Sequence, residues 1–101
     1  KYKPVYVLNI AAESHVDNSI NEPKNFIDTN IIGTYNLLTN TNLLYKKKIK
    51  TKFIQISTDE VYGDIINKKS ISREGDPYIP SSPYSASKAS ADHLVRSWSI
   101  T

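Results

Sequence analysis

The sequence predicts an α/β fold, part of a doubly wound parallel sheet in the order strand, helix, strand, helix. Three observations lead there. Two short apolar runs, Val5–Ile10 and Phe53–Ile56, are rich in β-branched residues and have the length of strands. A stretch of helical period joins them, and parallel neighbours need such a crossover. Each run then gives way to polar residues at its C-terminal end, the side on which open α/β sheets bind ligands.

The elements follow in order. Val5-Tyr6-Val7-Leu8-Asn9-Ile10 fits a strand buried on both faces, and Ala11-Ala12-Glu13-Ser14-His15 reads as the loop leaving it. Asn21-Glu22-Pro23 is a helix start, with a capping residue and an early proline. Phe26, Ile27, Ile31, Leu37, Leu38, Leu44 and Tyr45 then recur with roughly helical spacing up to a lysine cluster. Phe53-Ile54-Gln55-Ile56 is the second strand, with Ser57 opening its C-terminal loop. Asp64 to Pro80 has no period and reads as a long surface loop without an assigned role. Ser81-Ser82-Pro83 starts the last helix, Tyr84–Ile100, with Ala86, Ala89, Leu94 and Val95 as its packing surface.

Composition narrows the function classes. At 101 residues and 39% hydrophobic content the chain has the size and make-up of one small globular unit. The net charge of +3 is concentrated between Lys46 and Lys52, at a helix end where cations complement the helix dipole. No aromatic residues interleave with those lysines, so they read as a solvated helix end and not as a nucleic-acid surface. Without cysteine there are no disulfides or thiolate metal sites, and two distant histidines, His15 and His93, do not make a metal site. No apolar run approaches the ~20 residues that span a membrane, and no signal peptide is visible, so a cytoplasmic location is the default. The chain opens without Met and ends while still reading as helix, which marks residues 1–101 as an internal fragment of a longer protein.

The chemistry gathers at two places. Tyr84 and Lys88, four apart near a helix start, share one face. A phenol with its ordinary pKa of ~10 becomes a base near neutrality only if its anion gains about 4 kcal/mol of preferential stabilisation. A nearby ammonium, a helix N-terminus and a nicotinamide cation can supply it together. Ser57-Thr58-Asp59-Glu60 adds two hydroxyls and two carboxylates. Beside an oxidised carbon, one carboxylate can abstract the acidified neighbouring proton while the other protonates a leaving hydroxyl. Either group alone is commonplace on a protein surface; their conjunction is not.

Four blocks then resemble the nucleoside-diphosphate-sugar 4,6-dehydratase family of the extended short-chain dehydrogenase/reductase superfamily. They are Ala11-Ala12-Glu13-Ser14-His15-Val16-Asp17, Thr29-Asn30-Ile31-Ile32-Gly33-Thr34, Ser57-Thr58-Asp59-Glu60-Val61-Tyr62-Gly63 and Ser81-Ser82-Pro83-Tyr84-Ser85-Ala86-Ser87-Lys88-Ala89. The resemblance implies a Rossmann-like domain and NAD as cofactor. It makes Tyr84 the base that starts oxidation at sugar C4, with Lys88 tuning it and holding the nicotinamide ribose. Asp59 becomes the acid at the C6 hydroxyl, Glu60 the base at C5, and Thr58 a sugar contact. Ala11, Ala12, Ser14, Thr29 and Ser57 become cofactor contacts, and Ser14 also lines the substrate side. The implied substrate is dTDP-glucose, or else UDP-glucose, converted to a 4-keto-6-deoxy sugar. The family's Gly-rich phosphate loop and C-terminal substrate lobe have no counterpart among these residues, so NAD over NADP comes from the resemblance alone. A homodimer is implied as well, with Phe26–Tyr45 and Tyr84–Ile100 as candidate helices. The rival readings are a C4 epimerase or UDP-glucuronate decarboxylase, which do not need both carboxylates, and a non-catalytic nucleotide-binding homologue.

Overall fold

In the computed structural model, which describes residues 2–64 and 71–100, two parallel strands are covered by helices on one side. Strand β1 (Tyr6–Asn9) pairs with β2 (Lys52–Gln55) from Tyr6↔Lys52 to Asn9↔Gln55. Between them run α1 (Val16–Asn21), α2 (Pro23–Phe26), a π-helical segment (Ile27–Ile32) and α3 (Gly33–Lys46). A 3₁₀ turn (Asp59–Tyr62) and α4 (Pro83–Ile100) follow β2. The parallel α/β order is the one the sequence predicts; α1 and the 3₁₀ turn are additions to it.

The strands depart from the expected burial on both faces. Val7, Asn9, Phe53 and Gln55 turn toward the helices, while Tyr6, Leu8 and Ile54 are exposed. Along a strand successive side chains alternate between faces, and the described helices cover only one of them. Asn9 fixes that covered face: its Nδ2 donates to Gln55 Oε1 at 2.8 Å and to Thr34 Oγ1 at 3.0 Å, joining both strands to α3.

Helical burial is likewise narrower than the apolar spacing suggests. The fully buried stripe is Phe26, Asn30, Thr34 and Leu38, one residue every four, and half of it is polar. Ile27, Leu37 and Tyr45 are exposed, with Ile31 and Leu44 half-buried. On α4, Ala86 is exposed rather than packed, Leu94 and Val95 are half-buried, and Ala91 joins Ala89 in the core. At 3.6 residues per turn, Ala86 lies about 160° from Lys88, which stands in the middle of the buried face formed by Tyr84, Ser85, Ser87, Lys88, Ala89 and Ala91.

Helix α3 ends in a Schellman arrangement, with Lys48 N–H bonded to Tyr45 O and Ile49 N–H to Leu44 O. Lys48 therefore takes the left-handed position, at φ 62°, where glycine is the usual occupant. Lys48→Gly is expected to raise stability by about 0.5–1 kcal/mol, read as a higher thermal midpoint. An unchanged or lower midpoint counts against this account. At the start of α4, Ser82 Oγ accepts the Ser85 N–H and Ser85 Oγ accepts the Ser82 N–H, both at 3.0 Å. This reciprocal cap, with Pro83 in the first helical position, fixes where α4 begins and hence where Tyr84 stands.

Candidate active site

Of the residues expected to carry the chemistry, Tyr84 and Lys88 are buried, Ala12 and Thr58 half-buried, and Ala11, Ser14, Thr29, Ser57, Asp59 and Glu60 exposed. Among the described residues, seven polar side chains are buried beside six apolar ones. A core this small ordinarily excludes lysine and asparagine, and each of those buried here is hydrogen-bonded: Asn9 to Thr34 and Gln55, Asn30 to Ser87, and Lys88 to Ile56 O.

Tyr84 is 8% exposed and packs its ring edge-on against Phe26, with centroids 6.3 Å apart. One turn on, Lys88 is 4% exposed and its Nζ donates to Ile56 O at 2.6 Å, where β2 gives way to its loop. Burial pushes the Lys88 ammonium below the ordinary lysine range, and the negative charge of Asp92 partly opposes that. The phenol and the ammonium thus lie on one face of α4, beside the carboxyl end of β2.

The carboxylates sit on the 3₁₀ turn. Thr58 caps it: its Oγ1 accepts the Glu60 N–H at 3.3 Å and lies 3.4 Å from Asp59 Oδ1. Asp59 and Glu60 are exposed, and Val61 anchors the turn in the core at 1% exposure. With three residues per turn, neighbouring side chains diverge by roughly 120°. Two adjacent carboxylates can therefore approach different atoms of one ligand. The turn packs against α4, the helix of Tyr84 and Lys88.

The loop after β1 completes the arrangement. Asn30, 2% exposed in the π segment, accepts the Glu13 N–H at 2.9 Å and donates to Glu13 O at 3.0 Å and Ser87 Oγ at 2.8 Å. Ser87 in turn donates to Tyr84 O at 2.7 Å. One asparagine thus ties the loop Ala11–His15 to the turn of α4 that holds Tyr84. Single π turns inside helices recur at functional sites, and this one orients Asn30. Ala11, Ser14 and Thr29 are exposed and Ala12 half-buried on this side, while Ser57 is exposed beside Lys88's carbonyl partner.

Asn30, Ser87 and Asp92 are contributors to which sequence reasoning gave no role. His15 supplies a carbonyl for the first turn of α1, and His93 lies on the exposed face of α4 against the Tyr78 ring. Part of the long loop, residues 65–70, lies outside the described residues. Residues 71–82 are irregular, as expected of a surface loop, but are tied down by Ile79 N–H to Val61 O at 3.0 Å and by Tyr78 OH to Asp92. No three His, Asp or Glu side chains among the described residues cluster as metal ligands, and no described helix is long and apolar enough to cross a membrane.

The parallel α/β layer is that of Rossmann-fold enzymes of the short-chain dehydrogenase/reductase class, and it presents a Tyr-x-x-x-Lys pair on the helix against which the Thr-Asp-Glu turn packs. The chain belongs to the GDP-mannose 4,6 dehydratase family, whose profile matches residues 1–101. It is 50% identical over 103 residues to a dTDP-glucose 4,6-dehydratase of Neisseria meningitidis serogroup B, covering 97% of this chain and 29% of that protein. A dTDP-glucose 4,6-dehydratase of Bacillus anthracis, solved in complex with NAD, superposes with a TM-score of 0.72 at 42% identity, over 95% of this chain and 26% of that one. A UDP-glucose 4-epimerase of Brucella ovis, also with NAD, gives a TM-score of 0.86 at 28% identity, over 99% of this chain and 29% of that one. The chain thus spans about three-tenths of the length of the curated relatives it matches. Backbone likeness is higher to the epimerase and sequence identity higher to the dehydratase, so the fold itself does not choose between them.

Proposed function

We propose that this chain is an internal part of a dTDP-glucose 4,6-dehydratase, holding the reactive groups and the nicotinamide end of the cofactor site. The observation behind this reading is the intact Thr58-Asp59-Glu60 turn packed against the helix of Tyr84 and Lys88. An epimerase or decarboxylase oxidises C4 without eliminating water and does not need the adjacent acids, and the closely similar curated relatives are named dTDP-glucose 4,6-dehydratases.

The residues present fit one end of NAD. Tyr84 makes no hydrogen bond through its hydroxyl among the described residues, yet that oxygen is not sealed from solvent, so it is free to meet a ligand. Lys88 spends one ammonium proton on Ile56 O and retains two for a ribose. The small side chains of Ala11 and Ala12 leave room at the carboxyl end of β1, with Ser14, Thr29 and Ser57 around it. NAD, when bound, supplies the hydride acceptor and donor.

In this reading Tyr84 takes the proton from the C4 hydroxyl. Lys88, charged and adjacent, favours the phenolate. Glu60 removes the proton at C5, acidified by the neighbouring ketone, and Asp59 protonates the C6 oxygen so that water departs. Thr58 holds the sugar. Completion of the site and recognition of the base fall to the rest of the polypeptide. The same reading pairs two copies through α3 and α4, beside a groove lined by Leu38 and Tyr45 of α3, Phe53 of β2, and Val95 and Trp98 of α4.

The test is product identity. Given dTDP-glucose and UDP-glucose separately with NAD, the full-length protein is expected to yield the 4-keto-6-deoxy sugar from dTDP-glucose, identified by NMR, with deuterium from solvent at C5. A C4 epimer as the product would replace the dehydratase reading with the epimerase one.

A further inference from the structure

The end of β2 is held to α4 at two consecutive residues, by side chains of opposite charge one helical turn apart. Lys88 Nζ binds Ile56 O, and Asp92 Oδ2 accepts the hydroxyl proton of Ser57. Tyr84, Lys88 and Asp92 recur every four residues and so share one face of α4. The same Asp92 oxygen accepts Tyr78 OH at 3.2 Å, bringing in the loop 71–82 that also binds Val61 through Ile79. A single bond to the Ile56 carbonyl leaves the chain beyond it free to twist. A second bond, at Ser57, removes that freedom just before Thr58, Asp59 and Glu60.

We propose that Asp92 is a positioning residue, latching Ser57 and the Tyr78 loop onto α4 so that the Thr58-Asp59-Glu60 turn keeps a fixed orientation toward Tyr84 and Lys88. It touches no reacting atom; it acts through Ser57. The loop that gave no signal in the sequence therefore has a task, as the outer half of this latch. Burial, and then the charge of Asp92, raise the Tyr78 phenol above its ordinary range, so it remains a donor throughout the neutral range. Tyr62, Glu74 and Asp76 on the loop side, and His93 and Arg96 on α4, face the same shallow space. Lys88 is the group whose proton affinity Asp92 supports.

The kinetic arm of the test rests on the dehydratase reading; the exchange arm does not. In the full-length protein, Asp92→Ala and Ser57→Ala are each expected to raise amide hydrogen exchange across residues 57–62 about tenfold, the scale of a lost charge-assisted hydrogen bond. The double variant should exchange no faster than Asp92→Ala, because both changes remove one contact. With dTDP-glucose, kcat should fall about tenfold while KM stays within about twofold, as for an orientation effect. Asp92→Asn should also move the alkaline limb of the kcat profile to lower pH, since the Lys88 ammonium loses the charge favouring it; Ser57→Ala should leave that limb in place. Unchanged exchange at 57–62, or strictly additive effects of Asp92→Ala and Ser57→Ala, overturns the latch. An inactive wild-type protein whose variants still show the exchange effect overturns the dehydratase reading and leaves the latch standing.

Discussion

Tyr84→Phe in the full-length protein is expected to reduce dehydratase turnover by about 10²–10⁴-fold, the usual contribution of a positioned acid–base group. The substitution is structurally quiet. The ring keeps its edge-on contact with Phe26, and the lost hydroxyl makes no bond among the described residues. The reciprocal Ser82–Ser85 cap and the Asn30–Ser87–Tyr84 carbonyl chain involve no atom of the phenol oxygen. Thermal stability should therefore remain close to wild type while kcat collapses and KM for the nucleotide sugar changes little. The measurement is a steady-state assay of the 4-keto product beside a melting curve. Turnover within a few-fold of wild type removes Tyr84 from the chemistry. A parallel loss of stability makes its role one of packing.

The contrast between Tyr84 and Asn30 shows what the sequence could and could not reveal. Tyr84 and Lys88 are legible because their side chains are unusual for a helix face and their spacing brings them together. Asn30 sits in the middle of a helix, four residues after Phe26 and four before Thr34, and an apolar template passes over it. The signal was present in a different form. Phe26, Asn30, Thr34 and Leu38 lie on one face at constant spacing, and a polar residue on such a buried stripe must be hydrogen-bonded.

Asp92 was hidden for another reason. Its value lies in reaching Ser57 across 35 positions, and pairings at that distance depend on how β2 meets α4. The strands were legible as strands, but not their one-sided burial. That depends on which helices cover them, and the apolar run alone does not encode it. The short 3₁₀ turn escaped because four residues, two of them acidic, establish no period.

Gly63→Ala is expected to be the most damaging small substitution outside the reactive groups. Gly63 closes the 3₁₀ turn at φ 86° and ψ −170°, a region that belongs almost solely to glycine. A Cβ there would lie 2.3 Å from Ile79 O, closer than any real contact permits. Ile79 cannot simply retreat, because its N–H is bonded to Val61 O at 3.0 Å and the neighbouring Tyr78 is held by Asp92. Relief requires breaking that bond and shifting the turn. Backbone strain together with a lost hydrogen bond amounts to about 2–4 kcal/mol. A displacement of the turn by an ångström moves Asp59 and Glu60 off their atoms, for roughly a 10²-fold loss of turnover. Gly75→Ala is the internal control. Its φ of 94° is just as unfavourable for alanine, but nothing lies within 4 Å of the added Cβ. It should cost only the backbone strain, about 1–2 kcal/mol, with near-normal kcat. Equal effects of the two substitutions on kcat would mean that the close approach of Gly63 to Ile79 has no part in holding the carboxylates.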